Sequence, residues 1–332
     1  MTTIAGIPVG RLGFGLMGFT SRPVVTQDEQ AFATMKKAIE LGATFFNSGE
    51  FYGFADPTDN LSLVNRFFAR YPEYADKVCL SVKGAFNLKT YSADGSPEGV
   101  RASVMNIKKY LGDAKKLDLF ECARVDPKVP IETTISALQE MVDEGLISGI
   151  SLSEVGAATI RRAAAVATIS VVEIEFSMSC TDALENGVLT TCAELNIPVA
   201  PYSPLGRGLL SGKIRSVNDI AKGDFVAHLD QFSAENLPEN VKLADAVKEI
   251  ADKLDMTPAQ LALAWIMKHE ERFPGLTLIP IPGATTVERV VENLSEVKFL
   301  PDEYFESLNK IIKSKQIKGV RYSAGAEALL WA

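Results

Sequence analysis

GFGLMG, residues 13–18, satisfies the pattern Gly-x-Gly-x-x-Gly. In a doubly wound nucleotide-binding sheet, such glycines lead directly into a helix whose N-terminus holds a pyrophosphate. Here helical periodicity starts only after Arg22-Pro23, near Thr26. Thr26 and Glu29 have capping-box spacing, and Phe32, Met35 and Ile39 then recur at steps of three and four. Gly42 stands where a helix C-cap is expected. The glycines therefore do not form the first turn of that helix. The stretch reads as a strand ending in a Gly-rich loop.

Outward from this point, apolar runs alternate with helical patterns. The strands are RLGFG, ATFFN (43–47), KVCLSVK (77–83), LDLFEC (117–122), ISGISLS, SVVEIEFS, IPVAPYS (197–203) and TLIPIPG (277–283). Between them lie helical stretches such as PEGVRASVMNIKKYLG, IETTISALQEMVDEG, LENGVLTTCAELN and TPAQLALAWIMKHEE. No compositional break or flexible linker interrupts the alternation. Eight β/α repeats predict a single-domain (β/α)8 TIM barrel over residues 1–332, with its core at about 10–300 and a C-terminal extension at 301–332. In such a barrel, chemistry sits after the C-terminal ends of the strands.

The composition limits what that site can do. The 332 residues are 47% hydrophobic and 23% charged, with a net charge of −8, so no surplus of cations supports general nucleic-acid binding. Cys79, Cys122, Cys180 and Cys192 form no C-x-x-C pair, and the N-terminus lacks a signal-peptide pattern. No apolar run approaches the ~20 residues of a membrane span. These features predict a cytoplasmic protein, with a nuclear location equally compatible. His228 and His269 are too few and too far apart to predict a metal site.

At the strand ends, Tyr52 (in FFNSGEFYG) and Lys83 (in SVKGA) follow successive strands. An ammonium beside a phenol stabilises the phenolate, so such a pair exchanges protons with a carbonyl oxygen. By themselves, a tyrosine here packs and a lysine faces water as readily as they catalyse.

YSPLGRGLLSGK (202–213) and IPIPGATTVERVVENL (279–294), together with RLGFGLMGF, carry a more specific signal. Over about residues 10–300 the sequence resembles the aldo-keto reductase superfamily. Within it, partly through LDLFECARVDPKVPIE, it is most similar to the fungal pyridoxal reductases. The resemblance implies a barrel that binds NADPH in extended form across its mouth and reduces a small aldehyde, here pyridoxal, without an obligate protein partner. It implies Tyr52 as general acid, with Lys83 tuning it. Tyr202 would stack on the nicotinamide, and Ser153 and Glu173 would hold the carboxamide. Ser203, Leu205, Gly206, Gly208 and Lys213 would line the pyrophosphate loop. Gly283, Thr285, Arg289, Glu292 and Asn293 would hold the adenosine end, with Arg289 near the 2′-phosphate. A helix start and a guanidinium suit that anion; apart from the resemblance, Arg289 reads as a solvated helix residue.

The sequence departs from the family pattern at three positions. Asn47 stands for the usual catalytic Asp, Ala123 for the His, and Glu173 where Gln is frequent. With only Asn47 beside it, a buried Lys83 is expected to lose its proton. Losing a preorganised donor at position 123 costs roughly 10²–10³ in rate by analogy with oxyanion holes. These losses set two readings beside a pyridoxal reductase: a broader aldehyde or ketone reductase, and a non-catalytic NADPH-binding regulatory subunit. Ala123 also leaves room for a ring substituent, and the phenolic OH of pyridoxal would itself supply the lost hydrogen bond. Glu50 and Glu121 lie near the mouth without an assigned role. ARVDPK, with Arg124 and Asp126, reads as a polar turn, and IRRAAAVA as a helix with an unfavourable basic first turn.

Overall fold

The computed structural model describes residues 2–322 and 324–332. Seven parallel strands form one sheet: β1 (Phe14–Gly15), β2 (Phe45–Gly49), β3 (Cys79–Gly84), β4 (Leu119–Cys122), β5 (Gly149–Ser153), β6 (Ile169–Glu175) and β7 (Val199–Tyr202). Their spatial order is the chain order. Residues 277–283 take the eighth place. On one side Ile279 N and Ile281 N donate to Val199 O and Pro201 O at 2.8 and 3.0 Å. On the other, Pro280 O and Pro282 O accept from Gly13 N and Gly15 N at 2.9 and 3.2 Å. The two prolines offer acceptors to β1 but no donors, so this strand pairs through isolated bridges, Val199–Leu278 and Gly15–Gly283.

That closure explains the first glycines of GFGLMG. A β-carbon on Gly13 would lie 2.8 Å from both Ile281 Cγ2 and Phe45 O, and one on Gly15 would lie 3.0 Å from Ile281 O. They are glycines so that β1 can close against its neighbours. Met17–Phe19 then forms a short 3-10 turn, and the first α-helix, α1, spans Asp28–Glu40. No phosphate cradle is built at 13–18.

The helices between strands are α1, α2 (Asp59–Arg70), α3 (Pro97–Leu111), α4 (Ile131–Asp143), α5 (Ala157–Ala164) and α6 (Val188–Glu194); α7 (Leu237–Lys253) and α8 (Pro258–Lys268) precede the eighth strand. After it come α9 (Val287–Leu294), α10 (Asp302–Ser314) and α11 (Ala324–Glu327). Phe46, Leu80, Val82, Phe120, Ile150, Leu152, Val172 and Ile174 pack outward among the helices. Burying such side chains stabilises the fold by about 1.5–3 kcal/mol each. His269 belongs to this helical layer: its Nδ1 lies 2.9 Å from Trp265 O, and burial lowers its pKa to about 4.

The opposite parity faces the barrel axis. Its lowest layer is apolar: Phe45, Cys79, Leu119, Val171, Ala200, Ile279 and Ile281 pack with Ile4 and Val9. Those two come from an N-terminal hairpin, Thr2–Ile4 with Ile7–Val9. The hairpin plugs the floor, which leaves the C-terminal mouth as the open end.

Three local expectations change. The N-cap of α1 is Gln27 with no side-chain bond, because Thr26 N is committed to Phe19 O at 2.8 Å. At the other end Gly42 does adopt the left-handed φ of +86° expected of it. Helix α5 starts at Ala157, which moves Arg161 and Arg162 into its last turn, where cations complement the dipole. They pair with Glu194 and Glu132. LENGVLTTCAELN is broken at Gly187, φ +81°, into a 3-10 turn and α6.

Candidate active site

Above the apolar floor, the inward parity turns polar. Register aligns Asn47 with Ser81, Lys83 with Glu121, Glu121 with Ser151, and Glu173 with Ser153. Strand periodicity thus stacks these side chains into one layer. Lys83 Nζ contacts Glu173 Oε1 directly, with Glu121 Oε1 at 3.3 Å and Asn47 Oδ1 at 3.4 Å. Asn47 Nδ2 donates to Glu173 Oε2 at 2.5 Å, and Ser81 Oγ to Glu121 Oε2 at 3.2 Å. All five side chains are buried.

Tyr52 joins them from the turn after β2. Its N–H donates to Gly49 O at 3.2 Å, folding the ring back over the strand end. A β-carbon on Gly49 would lie 2.8 Å from that ring, so glycine is required there. Lys83 Nζ sits 5.9 Å from the Tyr52 ring centroid and 5.8 Å from that of Tyr202. Tyr52 and Lys83 do share one mouth.

The expectation that Lys83 lacks a carboxylate is overturned. Burial alone would strip its proton, but Glu121, Glu173 and Tyr52 overrule burial and hold its pKa above the ordinary lysine value. Burial, and then Glu121, raise the Glu173 carboxyl above its ordinary value, and Lys83, in direct contact with it, pulls the other way. Burial pushes Tyr52 up to about 12 although Lys83 acts downward, so the phenol is protonated at neutral pH. Glu173 spends its carboxylate on Lys83 and Asn47. Glu121, given no role from sequence, is the second partner of Lys83. Its parity with position 123 was a signal for the inward side, though nothing in the sequence paired it with a lysine. Glu50 accepts from Ser103 and, at 2.6 Å, from Asn106, anchoring the strand-two loop to α3.

A second polar cluster lies across the mouth and comes from the C-terminal segment. Arg321 Nη2 reaches Glu154 Oε1 at 3.0 Å and Glu175 Oε2 at 2.8 Å, and Arg207 Nη2 reaches Glu175 Oε2 at 2.7 Å. Tyr322 OH and Tyr202 OH are 2.9 Å apart. Trp331 N donates to Glu154 O at 2.9 Å, and Gly156 N to Ala332 O at 3.0 Å. Arg124 Cζ lies 5.7 Å from the Tyr322 ring centroid and Nη1 donates to Ala123 O, while Asp126 accepts from Gly95 N and Lys128 N. The polar-turn reading thus fits Asp126, whereas Arg124 points toward the tail. Arg321 and Tyr322 fell outside every motif. The charged residues Glu154 and Glu175, at strand ends and next to apolar runs, were the available hint.

The residues expected to hold a cofactor fall on β5, β6 and β7, on the loop after β7, and on the segment that ends the eighth strand and runs into α9. Two carry buried polar atoms without a partner, Ser153 Oγ and Asn293 Oδ1. Gly206 and Gly208 adopt φ of +57° and +103°, and Ser203 φ +49°, so the 203–213 loop takes a backbone path that favours glycine. Thr286 Oγ caps α9 by accepting from Arg289 N at 3.4 Å, and Arg289 Nη1 pairs with Glu292 at 2.6 Å. Partial burial, then Arg22 and Arg289, lower the pKa of Lys213. Cations at the 203–213 loop and at the start of α9, with the unpartnered Asn293 Oδ1 on that same helix, fit a dinucleotide bearing phosphates. Among the described residues there is no His/Cys/Asp/Glu cluster suited to a metal ion, and no helix is long and apolar enough to cross a membrane.

The family model described as "Aldo/keto reductase family" matches residues 11–313. The chain is 43% identical over 335 residues to "Probable pyridoxal reductase 2" of Schizosaccharomyces pombe, covering 99% of each. It is 40% identical over 336 residues to "Putative pyridoxal reductase" of Saccharomyces cerevisiae, covering 93% of this chain and 95% of that one. Among solved structures, the glycerol dehydrogenase of Gluconobacter oxydans superposes with a TM-score of 0.79 over 96% of this chain and 97% of its own, at 20% identity. That likeness concerns the fold.

Proposed function

The chain belongs to the aldo/keto reductase family, and from that premise we propose that it reduces pyridoxal to pyridoxine with NADPH. The observation that carries the reading is the placement of half-buried Tyr52 against the buried pair of Lys83 and Glu173. It supplies a protonated phenol beside a carboxylate-held ammonium at the open mouth of the barrel. Names carried by relatives at 40–43% identity support pyridoxal as the aldehyde.

When bound, NADPH supplies the hydride. Ser153, Tyr202, the 203–213 loop, Lys213, Thr285, Arg289, Glu292 and Asn293 would hold it, with Gly283 leaving room for its approach. Tyr52 donates the proton to the carbonyl oxygen. A phenol near pKa 12 is far more acidic than the alcohol it creates, so the transfer runs downhill. Lys83 stabilises the phenolate left behind, and it can do so only while charged. Glu173 and Glu121 keep it charged, which is the service an aspartate at position 47 would otherwise give. One of the two losses that favoured a non-catalytic subunit, an unsupported lysine, thereby loses its force, which supports an enzyme.

Ala123 is buried, with its N–H donating to Gly84 O at 3.1 Å. It offers no side-chain donor to the substrate oxygen. The phenolic OH beside the aldehyde of pyridoxal takes over that hydrogen bond. Steady-state rates with pyridoxal, 3-deoxypyridoxal and benzaldehyde test this. Pyridoxal is expected to lead in kcat/KM by at least about tenfold, equivalent to 1.4 kcal/mol of transition-state stabilisation. Equal rates for all three would replace this reading with a broad aldehyde reductase.

A further inference from the structure

Arg22 lies in the loop between β1 and α1, outside the motifs that suggest a cofactor. The loop is firmly built. Thr26 N donates to Phe19 O at 2.8 Å, Phe54 N to Thr20 O at 2.9 Å, and Asn60 Nδ2 to Thr20 Oγ1 at 2.7 Å. Its guanidinium folds back along the molecule. A β-carbon on Gly18 would lie 3.7 Å from Arg22 Nη2 and 3.6 Å from Thr285 Cγ2. Arg22 therefore stands beside the residues that open α9. Gln30 Nε2, donating to Thr285 O at 2.6 Å, ties α1 to the same place.

Three cations share this corner. Lys213 responds to burial and to both Arg22 and Arg289. Arg289 has Glu292 as a partner. Among the described residues, neither Arg22 nor Lys213 makes a side-chain hydrogen bond or ion pair, and Asp224 is the one acidic group acting on Lys213 in the opposite sense. Arg22 and Lys213 stand close to Arg289 without ion pairs of their own, and like charges repel each other, so the arrangement favours a multiply charged anion. A phosphate monoester accepts several charge-assisted hydrogen bonds at once, and a planar guanidinium suits it well. On the far side of the loop, Pro23 packs toward Gly223, in the segment between β7 and α7: a β-carbon on Gly223 would lie 3.5 Å from Pro23 Cγ and 3.8 Å from Phe54 Cζ. The two loops thus meet beside the cations.

We propose that Arg22 is a second ligand of the 2′-phosphate of the dinucleotide, which reaches from the β1–α1 loop to grip it beside Arg289, with Lys213 on the adjoining pyrophosphate. The inference rests on the NADPH-dependent reading and adds a residue from an element that no cofactor motif covers. It makes the β1–α1 loop a determinant of NADPH over NADH.

The test is equilibrium binding of 2′,5′-ADP and 5′-AMP, without turnover, to the full chain and to Arg22→Gln and Arg289→Gln. The natural protein is expected to bind 2′,5′-ADP at least about tenfold tighter than 5′-AMP. Arg22→Gln should weaken 2′,5′-ADP by about tenfold or more and change 5′-AMP by less than about twofold. Circular dichroism spectra matching the parent would show that the variant is folded. Unchanged 2′,5′-ADP affinity, or equal loss for both nucleotides, would overturn the assignment of Arg22 to the 2′-phosphate. If Arg289→Gln loses the preference while Arg22→Gln keeps it, only the Arg22 inference falls. If the natural protein binds neither nucleotide, the NADPH-dependent reading falls and this inference with it.

Discussion

Asn47 donates its amide to Glu173 across the barrel at 2.5 Å, and both side chains contact the ammonium of Lys83. This pair sets one carboxylate and one carboxamide against the lysine, beside the second carboxylate of Glu121. The carboxylate comes from the sixth strand and the carboxamide from the second.

That relationship predicts a reciprocal exchange. Glu173→Gln should lower kcat for aldehyde reduction by at least about tenfold, because Lys83 keeps only the more distant Glu121, and a factor of ten needs just 1.4 kcal/mol. Adding Asn47→Asp should recover most of the loss, since the exchanged pair again sets one carboxylate and one carboxamide around Nζ, with the charge moved to the second strand. A double variant no better than Glu173→Gln would show that the position of the carboxylate, rather than its presence, matters.

Much of this was legible in the sequence, for physical reasons. The delayed helix after GFGLMG excluded the nucleotide-binding sheet, and the eight-fold alternation pointed to the barrel. Tyr52 and Lys83 stood out because polar residues ended apolar strands. The partners of Lys83 were hidden: Glu121 and Glu173 are far from it in the chain, and only the register of four parallel strands stacks them in one layer. The eighth strand was legible as TLIPIPG, but its broken pairing follows from proline's missing N–H, which acts only once neighbours are known. The tail contact of Arg321 with Glu154 and Glu175 had no local signature at all.

That contact makes its own prediction. Arg321 is buried against two carboxylates, and only Glu175 has a second guanidinium, from Arg207. Arg321→Met should therefore leave Glu154 buried without its cation and cost about 3–5 kcal/mol of stability. Chemical denaturation measures the loss, and Glu154→Gln added to it should restore part. A loss under about 1 kcal/mol, the range of an exposed ion pair, would contradict a buried latch.

The central claim is that Tyr52 gives the proton that completes reduction of an aldehyde. It is tested most directly by following NADPH consumption with pyridoxal for the natural protein and for Tyr52→Phe, with NADPH binding measured in both. The account predicts turnover in the natural protein and a fall of at least about 10²-fold in the variant, the lower range for loss of a general acid, with binding retained. Equal turnover in both, or NADPH binding without reduction of pyridoxal by the natural protein, would contradict it.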